Sequence, residues 1–238
     1  MRTTRDASGR FPERPFYTER ELDDMFEHIV TSFLRQRRNA IAFPLTTDDL
    51  TVLIEEDVSD LDLYADLSGY GSEVEGMTKF EPGSKPHVAI AAELSESSCR
   101  ENRLRTTLAH EYGHVRLHAD LYDLYALRRP LFDQRHEPVA IYCKRATILS
   151  AKQSDWMEWQ AGYACGAILM PRSYVQRIVR EQQETRHIFG AVRDTSSDGI
   201  ALIKAVAESF RVSNDAARIR LLRLGVLGEP VAAGSLFG

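Results

Sequence analysis

The segment His110-Glu111-Tyr112-Gly113-His114 holds the residue types that hydrolytic metal chemistry needs. On a helix, positions i and i+4 lie one above the other on one face, so both imidazoles reach the same ion. Glu111 then points close to that ion without being forced to bind it, where a general base for an activated water belongs. Imidazole suits zinc, and a catalytic zinc takes three protein ligands and keeps one position open. Chance alone produces H-E-x-x-H in roughly one chain per hundred of this size, so the motif needs support from its surroundings. The plainer reading is a helix with two histidines on a partly buried face.

Candidates for the third ligand are His118, His136, Glu137, Glu158 and His187. His118 is one more turn along the same helix, and the 3.6-residue period carries it off the ion, so it reads as a packing partner. Glu158 opens a stretch rich in small residues, Ala161, Gly162, Ala164, Gly166 and Ala167. Such a helix can lie tightly against the one bearing Gly113 and project a carboxylate at the metal. Glycine costs about 1 kcal/mol in a helix interior, which close packing at Gly113 would explain. Asp155-x-x-Glu158 is equally a capping box, so spacing leaves Glu158 either as ligand or as cap.

The elements that must hold these residues are legible in part. Leu22, Met25, Phe26, Ile29, Val30, Phe33 and Leu34 trace one face of a helix from Thr18 to near Arg38. Short β-like runs follow at Thr51–Ile54, Leu61–Leu67, Gly76–Phe80 and His87–Leu94. Ser98 and Glu101 form a capping box that opens the His110 helix, expected to run to about His118. Residues 119–154 show no clean period. A second strong helix opens at Ser154 or Asp155 and stops at Met170–Pro171. Pro171 suits the first turn of the helix after it. Residues 200–225 read as two short helices around a tight turn, with Gly225 as terminator. The pattern predicts an α+β fold with a small mixed or antiparallel sheet. Residues 16–225 form its single domain, between flexible tails at 1–15 and 226–238.

Composition narrows the functional classes. A net charge of -5 gives no whole-chain electrostatic footprint for nucleic acid, though a local basic patch remains open. No stretch approaches the roughly 18 apolar residues that span a bilayer, and the start of the chain has no signal-like apolar core. Three dispersed cysteines, Cys99, Cys143 and Cys165, make a poor disulfide framework and fit free thiols in the cytoplasm.

HEYGHVRLH followed by EWQAGYACGAILMP resembles the ImmA/IrrE metallopeptidases. Those proteins carry an HExxH helix and a later helix of the form E-x-x-A-N-x-x-A ending in Leu-Met-Pro. The resemblance covers roughly residues 90–225. It implies a zincin-like fold in which His110, His114 and Glu158 bind Zn2+ and Glu111 is the catalytic base. Gly162 stands where many relatives have Asn, so any ligand-orienting task of that Asn falls here to another group. In zincin-like proteases a strand near the metal helix pairs with extended substrate, and His87–Leu94 is the expected edge. Tyr142, Tyr163 and His136 are the candidate donors to an oxyanion.

The same resemblance implies an endopeptidase that cleaves a regulatory protein, commonly a helix-turn-helix repressor, in stress responses or mobile elements. Alternatives are a zinc-containing regulator without proteolysis and a toxin-like effector. An intact Glu111 favours the enzyme, because a structural zinc gains nothing from a base. The C-terminal pair is locally basic through Arg211, Arg218, Arg220 and Arg223, but Ala217, Leu221, Leu222 and Leu224 demand burial. It therefore reads first as a packing element, with direct DNA contact the lesser expectation.

Overall fold

A computed structural model describes residues 2–127, 139–144 and 155–228. Its contacts divide the chain into two compact units, Met1–Leu169 and Met170–Gly238. The boundary falls inside the span that the sequence reads as one domain.

In the first unit, β1 (Arg2–Arg5) and β2 (Glu13–Phe16) pair antiparallel. This replaces the expected flexible tail over 1–15. Phe11 and Asp6 are buried: Phe11 joins a cluster with Phe80, Tyr122, Trp156 and Met157, and Asp6 accepts from Trp156 Nε1 at 3.1 Å. Local polarity hid a segment whose partners lie far along the chain.

The helix α1 (Glu19–Arg38) begins at Thr18 through a capping box with Glu21, and Asn39 ends it in the left-handed region at φ 56°. Leu22, Phe26, Val30, Phe33 and Leu34 form its buried stripe, as the periodicity requires. Thr51–Ile54 is not a strand. It lies in α2 (Thr47–Glu55), which Thr46 and Asp49 start with a reciprocal capping box. Leu50, Leu53 and Ile54 are buried at helical spacing, and this cap outweighs the β-preference of Thr51 and Val52.

The main sheet contains β3 (Asp60–Ala65), β4 (Val74–Phe80), β5 (His87–Ala91) and β6 (Val139–Lys144), in the order β3-β5-β4-β6. The pair β3–β5 is parallel and the other two are antiparallel, which makes the sheet mixed. The expected substrate edge, β5, is interior. Among the described strands, β3 and β6 are the edges. Val88, Ala89 and Ile90 are all buried, consistent with an interior strand. Alternation along β4 buries Val74, Gly76, Thr78 and Phe80 on one face.

A short helix, α3 (Ala92–Ser95), precedes α4 (Glu101–Leu127), which outruns its expected end at His118 by about two turns. The next helix is α5 (Trp156–Leu169), close to its expected limits and buried almost throughout. It packs on α4 and α1.

The second unit holds α6 (Arg172–Arg186), α7 (Ser197–Phe210) and α8 (Asn214–Arg223). Ser196 and Ser213 cap the last two, and Gly225 follows at φ 70°. The basic character of this pair is partly consumed. Arg220 is buried, its Nε donating to Met170 O at 3.0 Å, and Arg218 lies 3.0 Å from Asp215 and 3.5 Å from Asp194.

Candidate metal centre

One turn of α4 separates His110 from His114, and their Nε2 atoms lie 3.1 Å apart. Glu158, in the first turn of α5, closes the triangle. Its Oε1 is 3.2 Å from His114 Nε2 and its Oε2 is 3.3 Å from His110 Nε2. Both histidines are fully buried and Glu158 is 7% exposed. These three residues form a cluster able to hold a metal ion. Tetrahedral ligands with bonds of about 2.0–2.1 Å stand roughly 3.3 Å apart, so the observed triangle fits one small ion.

Gly113 makes the crossing possible. A Cβ at Gly113 would stand 3.0 Å from Ala164 Cβ and 3.1 Å from both Ala161 Cα and Ala161 O. With only hydrogen there, α5 approaches α4 closely enough for Glu158 to reach the histidines. A capping role alone would not bring that carboxylate against two imidazoles of another helix.

Glu111 lies beside this triangle, fully buried between α4 and β4. Thr78 Oγ1 donates to Glu111 Oε2 at 2.5 Å, while Oε1 has no hydrogen-bond partner among the described residues. Burial raises the Glu111 pKa, against the opposing pull of His114, His110 and Thr78. At Glu158 burial also works upward, yet bonds from His110 and His114 hold the carboxyl well below its ordinary range. The two carboxyls thus differ as a proton acceptor and a permanently ionised ligand would.

The other candidates are placed elsewhere. His118 touches His114, Nδ1 to Nδ1 at 3.0 Å, rather than the triangle. His187 belongs to the second unit and ends α6 in the left-handed region, and His136 and Glu137 lie outside the described residues. Neither described oxyanion candidate faces the centre. Tyr142 is in register with Met77, on the sheet face turned away from Glu111, with its ring 4.7 Å from Tyr70. The Tyr163 hydroxyl donates to Asp23 Oδ2 at 3.0 Å.

Sequence reading missed Thr78, Gly76, Cys143 and Gln160. Cys143 on β6 is a free, buried thiol, and its Sγ lies within 4.8 Å of donor atoms on His110 and Glu111. Burial and Glu111 push its pKa well up, keeping it a neutral thiol in the absence of a metal. Gly76 carried a usable signal, since glycine inside a strand often marks a close approach.

Two imidazoles from one helix, a carboxylate from a second and a further buried carboxyl between helix and sheet define a candidate single-metal hydrolytic centre. The chain belongs to the IrrE N-terminal-like domain family of peptidases, M78, whose sequence model matches residues 93–222, more than half of the 238. No curated protein matches it. No helix among the described residues is long and apolar enough to cross a membrane.

Proposed function

We propose that the protein is a zinc-dependent endopeptidase in which His110, His114 and Glu158 hold the ion and Glu111 is the general base. The observation that carries this reading is the triangle of donor atoms at 3.1, 3.2 and 3.3 Å beside a buried carboxylate oxygen without a hydrogen-bond partner among the described residues. An ion bound there supplies Lewis acidity, polarising a peptide carbonyl and acidifying a water. Glu111 Oε1 accepts the water proton and delivers it to the leaving amine, while Thr78 keeps Oε2 fixed. Its raised pKa suits both halves of that transfer. The neighbouring strand β6 is an edge among the described strands, and an extended peptide would pair along it.

The substrate we propose is a regulatory protein, first a helix-turn-helix repressor, on the strength of the family resemblance. The three free thiols, one of them exposed, fit work in the reducing cytoplasm. The partial neutralisation of Arg218 and the burial of Arg220 support a packing role for α7–α8 over DNA contact.

Co-expression with any helix-turn-helix repressor encoded beside this gene tests the reading. Wild type should give one defined cut by mass spectrometry, and Glu111→Gln should keep stoichiometric zinc and cut nothing. Equal cleavage by both proteins would refute Glu111 as the base. Failure of purified wild type to retain or take up zinc would refute the metal site.

A further inference from the structure

We propose that His118, Gln160 and the carbonyl of Pro15 form a positioning relay that fixes the tautomer and rotation of His114. The relay makes the N-terminal β1–β2 hairpin a working part of the metal centre. It rests on the reading of His114 as a ligand.

The relay has an unambiguous end. A backbone carbonyl only accepts, so Gln160 Nε2, 3.2 Å from Pro15 O, must donate. The amide oxygen Oε1 is then the atom that faces His118 Nε2 at 3.1 Å, and it accepts. His118 therefore carries its proton on Nε2. The ring is fully buried, and among the described residues its nitrogens meet an imidazole and an amide oxygen, with no carboxylate in contact to favour a cation. Nδ1 of the neutral ring is a bare lone pair. It lies 3.0 Å from His114 Nδ1, which must supply the proton between them.

In its neutral form, the one a metal binds, His114 is protonated on Nδ1 and presents a bare Nε2 towards His110 and Glu158. That is the tautomer a metal requires. The opposite tautomer would aim a proton at the ion and leave two lone pairs facing each other between His114 and His118. One carbonyl outside the centre thus sets the direction of every bond up to the ligand.

The hairpin holds the relay by more than Pro15. Asp6 accepts from Trp156 Nε1 at 3.1 Å, and the Arg14 guanidinium lies 5.4 Å from the Trp156 ring. Trp156 in turn meets His118 edge-on at 5.5 Å. Trp156 and Gln160 flank Glu158 on α5, so both contacts fall on the turn that delivers the third ligand. All the hairpin residues lie outside 93–222, the span of the family match.

Two measurements test the relay. In zinc-loaded wild type, nitrogen-15 NMR of the imidazoles should show His118 protonated on Nε2 with a bare Nδ1, and His114 protonated on Nδ1. His118 protonated on Nδ1, or on both nitrogens at neutral pH, overturns it. Gln160→Met keeps the bulk of the side chain and removes both bonds. It should bind zinc about 10- to 100-fold more weakly in competition with a chromophoric chelator, the range typical of lost ligand-orienting partners. Folding of the variant is checked by thermal unfolding of the metal-free protein. Affinity within twofold of wild type in a folded variant overturns the relay and leaves the metal reading intact. Wild type that binds no zinc overturns the metal reading itself. Should Gln160→Met not fold, the wild-type spectrum decides.

Discussion

Gly76 and Glu111 stand face to face across the gap between β4 and α4: a Cβ at Gly76 would lie 2.5 Å from Glu111 Oε1 and 2.9 Å from Thr107 Cγ2. The Glu111 carboxylate therefore occupies space that only glycine leaves open. Gly76→Ala must push the Glu111 carboxylate away from its place while leaving His110, His114 and Glu158 untouched. Peptidase activity should fall at least about tenfold, since a displacement of about 1 Å is enough for such losses. Zinc content by atomic absorption should remain one per chain. Full activity in the alanine variant would show that the position of Glu111 is not used.

Thr78 makes a second claim on the same carboxylate. Its hydroxyl donates to Glu111 Oε2 at 2.5 Å, and a bond to the charged form favours that form. In the proposed mechanism Glu111 acts deprotonated, so activity should be lost as pH falls through its pKa, which burial already raises. Thr78→Val removes the donor at nearly constant shape and raises that pKa further. A charge-assisted bond is worth about 1.5–3 kcal/mol, so the acid limb of kcat/KM should move up by about one pH unit or more. An unmoved acid limb would assign it to another group.

The residues of the candidate site were legible because local rules place them. H-E-x-x-H declares its own geometry on a helix, and the EWQAGYACGAILMP stretch shows its small-residue face. Capping boxes and the 3.6-residue period located α1 and α5 to within a residue or two. Legibility failed wherever a partner far along the chain decides. Whether His87–Ala91 is an edge or an interior strand depends on its neighbours β3 and β4, which its own residues do not encode. Phe11 and Asp6 are ordered by Trp156, about 150 residues away, and no local pattern in a Pro- and Gly-punctuated segment announces that. Gly162 raises the question of what would orient a ligand histidine, and the contacts of Gln160, two residues earlier, with His118 and Pro15 exist only once α4 and β2 are beside it.

Gly113 tests how tightly the two helices must cross. In an isolated helix Gly→Ala stabilises by about 1 kcal/mol. At Gly113 the new methyl group meets Ala161 Cα and O at 3.1 Å, backbone that no rotamer change can move aside. Overpacking of this kind costs about 1–3 kcal/mol and outweighs the propensity gain. Relief requires α5 to retreat, carrying Glu158 with it. Gly113→Ala should lower the midpoint of urea unfolding of the metal-free protein and weaken zinc binding together. A more stable variant with unchanged affinity would mean that the crossing has slack.

The pair His114–Glu158 predicts opposite pH responses for the metal-free and metal-bound protein. At His114 burial works to lower the pKa, but bonding to Glu158 outweighs it and the net shift is upward. A raised folded-state pKa gives stability that is fully present below the unfolded value and is lost as pH rises through the folded one. At Glu158 the shift is downward, so its share is present above the ordinary carboxylate range and lost only in strong acid. The metal-free protein should therefore lose this pair's contribution as pH climbs past the raised His114 pKa. Metal needs the same nitrogen without its proton, so affinity should strengthen over that very range, with a proton released on binding below it. Titration calorimetry of zinc uptake in buffers of different ionisation enthalpy would detect the proton, and unfolding of the metal-free protein from pH 5 to 9 would give the opposing slope. Affinity that is flat across this range, with no proton released, would place the ion away from His114.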